Sequence, residues 1–272
     1  MKNPGGNRAG IMNIKIVSST NARLKTARNL FSRAGIIKQG FFLIEGPRFI
    51  SDCLERGNPE WVFLSETAGS PSRLVAERAS KNNVDILELP AKLFAGISDT
   101  ENSQGIVAVF PVPPADIDVT PRSGIFLLLD RIADPGNMGT IIRSAAAFGC
   151  TAVLTGKGSC FPFIPKVTRS AAGTNSFVPL ISDVDLAAFM RDNSETMDFL
   201  GADPSGTDIQ NIRPEAGCHG LVIGSEAHGI SEEVNNHLSL KVAIPMAPGV
   251  ESLNAGVSAS ILLYALSTAK NR

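Results

Sequence analysis

The feature that most constrains the fold of this 272-residue chain is a set of apolar runs that stop abruptly and lead almost directly into helices. Ile125 to Asp130 reads IFLLLD, the continuous apolar pattern of a strand buried on both faces of a parallel sheet. Leu221 to Gly224 ends at a glycine, and Leu240 to Ile244 ends at Pro245, which has no amide hydrogen to continue a strand ladder. Further strands near 151, 177 and 198 alternate with helices, so we predict a mostly parallel α/β sheet.

The bend after Pro245 has the sequence features of a ligand-binding turn. Gly249 permits a positive backbone φ, and Ser252 is a good N-cap for a helix predicted from Ser252 to Lys270. Asn254 offers both a donor and an acceptor beside the first helical turn. The apolar residues of this helix recur every three or four positions: Leu253, Val257, Ile261 and Tyr264. An ordinary strand-to-helix connection also explains this bend when it is taken alone.

Two more bends carry polar residues in similar places. After Asp130, Asn137 suits the N-cap of a helix, and Gly139 lies one turn before Arg143, which leaves the guanidinium room to reach past bare backbone. After Gly224, Glu226 lies at the bend. The carboxyl edge of a parallel sheet is where α/β proteins bind ligands, so we expect the three bends to converge on one pocket.

In order and in detail, these bends resemble the three motifs of the SpoU/TrmH-type RNA 2′-O-ribose methyltransferases, members of the SPOUT class. Motif one resembles Asn137, Gly139 and Arg143, and motif two resembles Gly224, Glu226 and Gly229. Motif three resembles Ile244, Pro245, Met246, Ser252, Leu253 and Asn254. One departure is Ala227, where the family commonly has glycine; a positive φ at this residue would be strained.

The resemblance extends over nearly the whole chain. Pro165 to Val167 and Arg169 to Gly173 are similar to the helix that follows the second strand of the catalytic domain. Ser18 to Lys25, Phe42 to Gly46 and Asp99 to Val109 resemble the substrate-binding domain that many of these enzymes carry.

Composition and resemblance together predict the domain organisation. Residues 1–12 are polar and glycine-rich and are read as a disordered tail, although a short transit peptide stays open. Residues 13–110 are expected to form a small α/β, L30e-like, RNA-binding domain, and the proline-rich residues 111–123 a semi-stiff linker. Residues 124–272 are expected to form the methyltransferase domain, for which the resemblance implies a deep trefoil knot and a homodimer.

The resemblance also implies a cofactor, S-adenosyl-L-methionine, and the residues around it. The expected cofactor-binding residues are Thr155, Gly156, Gly224, Ser225, Glu226, Gly229, Ile244, Pro245, Met246, Leu253 and Asn254. The expected catalytic residues are Arg143, Asn137, Glu226, Ser252 and Asn254. A guanidinium scarcely gives up its proton in a protein, so we expect Arg143 to stabilise a developing alkoxide or to grip a phosphate, with Glu226 in a supporting role. An ordinary surface ion pair is the alternative for Arg143.

Charge is unevenly distributed along a chain whose formal net charge is −1. Residues 1–48 contain nine Lys or Arg residues and one acid, Glu45, which predicts a surface that attracts RNA phosphate. A solvated basic helix face is the alternative. The expected RNA-binding residues are Arg23, Lys25, Arg28, Arg48, Lys166 and Arg169.

Other partners are not expected. No run approaches the roughly 18 apolar residues of a membrane span. The four cysteines lack paired close spacing, and the histidines sit nine apart, so neither a metal site nor a disulfide framework is predicted. The cysteine pattern favours a reducing compartment, and we expect a cytoplasmic protein.

Three functions follow, in order of preference. The first is S-adenosylmethionine-dependent methylation of a ribose 2′-hydroxyl in structured RNA, above all ribosomal RNA of the 23S type with guanosine as one candidate, and with transfer RNA as the nearer alternative. The second is a catalytically silent RNA-binding assembly factor on the same fold. The third, an enzyme acting on a small nucleotide, is disfavoured because the chain has neither a phosphate loop nor a GxGxxG pattern. The modified nucleotide, the proton acceptor and the choice between ribosome maturation and antibiotic resistance stay open.

Overall fold

The computed structural model describes residues 13–114, 124–212 and 217–269. The chain divides into two compact units, Met1–Val112 and Pro113–Arg272. This division falls within residues 111–123, the predicted linker. The predicted tail, residues 1–12, and residues 115–123 of the linker lie outside the described ranges.

The N-terminal unit contains a five-stranded mixed sheet with the order β1-β4-β3-β5-β2. Strands β1, β4 and β3 are parallel, and β5 runs antiparallel to both β3 and β2. The strands are β1 (Asn13–Lys15), β2 (Phe41–Glu45), β3 (Trp61–Ser65), β4 (Asp85–Leu89) and β5 (Ile106–Pro111). The helices are α1 (Ala22–Asn29), α2 (Arg33–Gln39), α3 (Pro47–Leu54), α4 (Ser70–Lys81) and α5 (Ala91–Phe94).

Local capping explains the helix boundaries of this unit. The side chain of Asn21 accepts hydrogen bonds from the backbone amides of Arg23 and Leu24 and so begins α1. The side chain of Ser32 accepts from Gly35 and begins α2. The cap at Ser32, only three residues after α1 ends at Asn29, therefore starts a second helix.

The C-terminal unit contains a six-stranded sheet, entirely parallel, with the order β11-β9-β10-β6-β7-β8. Its strands are β6 (Gly124–Asp130), β7 (Ala152–Gly156), β8 (Leu180–Val184), β9 (Met197–Asp208), β10 (Cys218–Gly224) and β11 (Leu240–Ala243). Its helices are α6 (Pro135–Ala147), α7 (Pro165–Ser170), α8 (Leu186–Asp192), α9 (Glu232–Asn235) and α10 (Ala255–Ala269). The α/β class and the mostly parallel sheet are therefore confirmed.

Strand β6 lies in the middle of this sheet, and both of its faces are buried. Phe126 and Leu128 pack into a cluster with Leu154 of β7 and Phe199 of β9. Leu127, on the opposite face, is also fully buried. The continuous apolar pattern of β6 follows from this burial on two sides.

The strand order places β10 between β9 and β6, although it follows both in sequence. Gly224, the last residue of β10, pairs in register with Asp130, the last residue of β6. The loops after these two strands therefore leave the sheet at the same edge and the same height. The threading of these segments through a trefoil knot stays a prediction.

None of the four cysteines forms a disulfide bond. Burial raises the pKa of Cys150 to about 12, so this thiol behaves as a small apolar core residue. Across the described ranges, no helix combines the length and the apolarity that a bilayer crossing requires.

Candidate active site

A cavity of about 260 Å³ opens where β10 and β11 end, beside the middle of β9. It is lined by these parts of the three strands, by the loops that follow β10 and β11, and by the first turns of α10. Its residues are Ala202, Asp203, Pro204, Ile223, Gly224, Ser225, Glu226, Gly229, Val242, Ile244, Met246, Ser252, Leu253, Ala255, Ser258 and Leu262. Motifs two and three of the sequence analysis thus meet in one pocket.

The motif-two loop is a tight reversal. Ser225 and Gly229 form an antiparallel bridge through two backbone hydrogen bonds of 3.1 and 2.8 Å. A β-carbon on Gly224 would overlap the backbone of Gly229 and Ile230, so only glycine fits at this position. Gly229 has a φ of 64°, whereas Ala227 is not among the described residues with positive φ. The methyl group of Ala227 therefore introduces no backbone strain.

A buried carboxylate fixes the far end of this loop. Asp130 is 5% exposed, and its Oδ2 accepts a hydrogen bond of 2.6 Å from the backbone amide of Ser231. The end of β6 thereby holds the loop that follows β10.

Motif one lies at the start of α6, but Asn137 is not the cap of that helix. Asp134 caps it instead: its Oδ1 accepts from the backbone amide of Asn137 at 2.8 Å, and Pro135 occupies the first turn. The side chain of Asn137 is therefore free to make other contacts.

Asn137 connects all three motifs. Its Nδ2 donates a hydrogen bond to Glu226 Oε1, and its Oδ1 accepts one of 2.8 Å from Asn254 Nδ2. Asn254 Oδ1 in turn accepts from the backbone amides of Gly256 and Val257, at 3.0 and 3.2 Å. A hydrogen-bonded chain thus links three side chains that are far apart in sequence, those of Glu226, Asn137 and Asn254. It brings motif one to the side of the cavity that motifs two and three form.

Asn254, rather than Ser252, caps the last helix. The structure begins α10 at Ala255, three residues later than predicted, and Ser252 lines the cavity instead. Gly249 has the positive φ, 88°, that the sequence predicted. The segment from Ile244 to Asn254 lies between β11 and α10, so its backbone groups are outside the sheet ladder and the helix.

Gly139 has a different role from the predicted one. A β-carbon at Gly139 would lie 2.8 Å from the Ala171 nitrogen and 2.8 Å from the Val167 oxygen, so the glycine allows α7 to pack closely against α6. It does not make room for a guanidinium. Arg143 is exposed, does not line the cavity, and forms no hydrogen bond or ion pair with the described residues.

One wall of the cavity was not foreseen from the sequence. Ala202, Asp203 and Pro204 belong to β9 and line the pocket. The available signal was the sequence GADPSG, which is rich in glycine and proline and lies within β9.

Thr155 and Gly156, predicted as cofactor-binding residues, lie elsewhere. They end β7, which is separated from β10 by β6. Thr155 is 2% exposed, and Gly156 lines a separate cavity of about 250 Å³ with Arg131, Lys157 and Asp185. Pro245 is exposed and is also not among the lining residues of the first cavity.

The predicted RNA-binding residues differ in how free they are. Arg23 forms an ion pair of 2.8 Å with Asp85 and lies over the Trp61 ring, and Arg28 donates to the Ser19 carbonyl. Lys25 and Arg48 are exposed on the N-terminal unit. Lys166 and Arg169 are exposed on α7.

The cavity suits S-adenosyl-L-methionine in the chemistry of its lining residues. Ile223, Val242 and Leu262 offer apolar contacts to a flat base. Ser225, Glu226 and Ser252 offer polar atoms, as does the loop backbone outside the ladder. Within the described residues, no group of three or more His, Cys, Asp or Glu side chains could hold a metal ion.

A parallel α/β unit with this pocket, preceded by a small α/β unit, agrees with the class that the three motifs predict, the S-adenosylmethionine-dependent RNA methyltransferases. Comparison with protein-family models agrees. Residues 124–264 match the SpoU rRNA methylase family, and residues 21–108 match the MRM3-like substrate-binding domain. The chain belongs to the SpoU rRNA methylase family, and the family predicted from the three motifs is confirmed.

Individual relatives are similar over nearly the full chain. The 23S rRNA (guanosine(2553)-2'-O)-methyltransferase RlmP of Bacillus subtilis is 30% identical over 93% of this chain and 98% of its own. The mitochondrial rRNA methyltransferase 3A of Danio rerio is 30% identical over 94% of this chain and 70% of its own. The structure of the SpoU methyltransferase AviRb from Streptomyces viridochromogenes, in complex with AdoMet, has a TM-score of 0.78 at 26% identity and covers 92% of this chain and 98% of that one.

Proposed function

We propose that this enzyme transfers the methyl group of S-adenosyl-L-methionine to the 2′-hydroxyl of a ribose in ribosomal RNA. The observation that carries the proposal is the hydrogen-bonded chain of the Glu226, Asn137 and Asn254 side chains, which joins the three motifs beside one cavity. Similarity to a 23S rRNA 2'-O-methyltransferase over nearly the whole chain supports ribosomal RNA as the substrate.

The residues of the cavity divide the work between holding the cofactor and placing the acceptor. When bound, S-adenosyl-L-methionine supplies an electrophilic methyl group. The glycine bend at Gly224 and the segment from Ile244 to Leu253 hold it through backbone groups. Asn137 and Asn254 orient the ribose, and Glu226 keeps Asn137 in place by accepting its amide hydrogen.

Arg143 requires a second subunit in this proposal. It is exposed and does not line the cavity of its own chain. Val257, Ile261 and Tyr264 form an exposed apolar face of α10, at 44%, 37% and 58% exposure. We infer that a second copy covers this face, forming a homodimer in which Arg143 of one subunit serves the site of the other, where it stabilises the developing alkoxide or grips the adjoining phosphate.

The enzyme works in the cytoplasm, and its N-terminal unit recognises the RNA substrate through exposed cations. Of the RNA-binding residues predicted on this unit, Lys25 and Arg48 are the exposed ones, and they contact phosphate in this proposal. Arg23 has an ion pair and a ring contact to satisfy and therefore serves the fold first.

Mapping ribose methylation across total RNA from cells with and without the gene tests this proposal. We expect one methylated position of ribosomal RNA to be lost, and to return with the wild-type gene or with Asn82→Ala, a control at a remote asparagine pair. Asn254→Ala should not restore it. A lost position in transfer RNA would identify the alternative substrate. No lost position, combined with no binding of S-adenosyl-L-methionine, would favour a silent RNA-binding factor.

A further inference from the structure

Strand β9 departs from its ladder beside the cavity. Leu200 and Gly201 pair with Leu240 and Lys241 of β11, but the next pair joins Thr207 to Val242. Residues 202–206 are therefore looped out of β9, whereas β11 continues without an extra residue. This excursion is much longer than an ordinary one-residue bulge.

The looped-out segment forms one wall of the cavity, but it has little apolar anchoring of its own. Ala202, Asp203 and Pro204 line the pocket. Pro204 and Ser205 are exposed, and Ala202 and Asp203 are only half-buried. Polar contacts must therefore hold this wall in place.

Asp203 makes those contacts. Its Oδ1 accepts hydrogen bonds from the backbone amide and the hydroxyl of Ser205, at 2.9 and 2.7 Å, which closes the turn of the loop. Its Oδ2 accepts from Lys241 Nζ at 2.9 Å, which ties the loop to β11. These bonds, that of Lys241 first, lower the pKa of the Asp203 carboxyl from 3.8 to about 2.

The loop is packed closely against β11 at its other end as well. A β-carbon at Gly206 would lie 2.5 Å from the carbonyl carbon of Lys241. Lys241 itself does not line the cavity, so any influence it has on a ligand passes through Asp203.

We propose that Asp203 and Lys241 are positioning residues of the cofactor site: their ion pair holds residues 202–206 in the arrangement that S-adenosyl-L-methionine requires. The inference rests on the proposed function, because it takes this cofactor as the occupant of the cavity. Without the pair, the wall has to be ordered by the cofactor as it binds, and that ordering lowers affinity.

Calorimetric titration with S-adenosyl-L-methionine tests the inference on four full-length proteins: the wild type and the variants Asp203→Asn, Lys241→Met and Lys241→Arg. Asp203→Asn removes the negative charge, and when its amide oxygen keeps the place of Oδ1 as acceptor for Ser205, its amide nitrogen, a donor, faces the Lys241 ammonium. Lys241→Met removes the cation at similar length, and Lys241→Arg keeps it. We expect about five- to tenfold weaker binding for Asp203→Asn and Lys241→Met, and near wild-type binding for Lys241→Arg.

Two further readouts separate positioning from general structural support. The turnover number at saturating cofactor should be unchanged, while the KM for the cofactor rises with its dissociation constant. The control Glu55→Gln removes the Arg78–Glu55 ion pair of the N-terminal unit and should leave the affinity unchanged. Wild-type affinity in Asp203→Asn and Lys241→Met, or a lowered melting temperature with unaltered affinity, would overturn the inference. If the wild-type chain itself bound no cofactor, the proposed function would fail first.

Discussion

At the scale of single residues, Asn137 does something that few side chains can do. Its amide donates to Glu226 and accepts from Asn254 at the same time, while its backbone amide is held by Asp134. A carboxylate could not donate, and a lysine could not accept. The asparagine in motif one is therefore required by the two partners that the fold brings to it, more than by the helix in which it lies.

Replacing Asn137 should reduce methyl transfer more than stability. Asn137→Ala removes two hydrogen bonds that orient the site, and we expect a loss of about tenfold or more in turnover, corresponding to about 1.4 kcal/mol of transition-state stabilisation. The free energy of unfolding should change by at most about 1 to 2 kcal/mol. Single-turnover kinetics and urea denaturation provide the two measurements.

A double-mutant cycle sharpens this prediction. If Asn137 and Asn254 act as one unit, the double alanine variant should be little slower than either single variant. Asn82→Ala, in the exposed pair with Asn58, is the control and should keep full activity. Strictly additive losses would contradict the bridging role.

The lowered pKa of the Asp203 carboxyl predicts how the stability of the protein depends on pH. Its pKa is lowered by Lys241 and Ser205, so it binds protons less readily in the folded than in the unfolded state. Its contribution to stability is therefore fully present above the unfolded pKa of 3.8 and is lost as pH falls toward about 2. The difference in unfolding free energy between wild type and Asp203→Asn should be constant from neutral pH to about pH 5 and shrink below pH 4. A difference that changed between pH 6 and 8 would contradict this assignment.

At the scale of elements, α6 is held on two sides by close backbone packing. Gly139 lets α7 approach, and on the other side Gly256 of α10 lies against Thr140. The hydroxyls of Ser144 and Ser260 lie 2.6 Å apart across the same helix pair. Because α6 carries Asn137, its placement sets the distance between the motifs.

Gly139→Ala should therefore destabilise the C-terminal unit and impair the site. The added methyl group meets the backbone of α7, which has to shift, at an expected cost of about 1 to 3 kcal/mol. Gly217→Ala is the matched control, since a β-carbon there meets no atom within 4 Å. Thermal unfolding of the two variants measures the effect. Equal melting temperatures would show that the contact between α6 and α7 accommodates the added methyl group without a loss of stability.

The sequence predicted those elements whose determinants are local. The strand at Ile125 to Asp130 and the bends at Gly224 and Gly249 follow from apolar runs and glycine positions. The start of α10 could not be predicted in this way, because Ser252 and Asn254 are both good N-caps. In the structure Asn254 is the cap, and its side chain also donates a hydrogen bond to Asn137. The 202–206 excursion also escaped prediction, because it depends on a lysine 38 residues later in the chain.

At the scale of the whole molecule, one face of α10 is not covered by the described residues of a single chain. Val257, Ile261 and Tyr264 are spaced by four and three residues, so they project from one side of the helix. The Tyr264 ring packs on Phe148, the residue that follows α6, which widens the apolar surface. The sequence pattern identified these positions as apolar and assigned them to the helix, but periodicity alone could not say whether its own sheet or a second copy covers them.

A charge on this face should separate the proposed dimer. Ile261→Lys places an ammonium where the partner's apolar surface is expected, so light scattering at micromolar concentration should give the mass of a monomer for the variant and of a dimer for the wild type. Ile37→Lys, at an even more exposed apolar position of α2, should remain dimeric. A monomeric wild type would contradict the proposed assembly and the role given to Arg143 of a second subunit.

The three motif loops are expected to form one site that presents a methyl donor to a ribose oxygen. A crystal structure with S-adenosylhomocysteine measures where the cofactor binds. We expect the ligand between residues 202–204, the bend from Gly224 to Gly229, and the segment from Ile244 to Leu253, with its sulfur directed toward Asn137 and Asn254. Binding in the separate cavity at Gly156 and Arg131, or outside both cavities, would contradict this expectation.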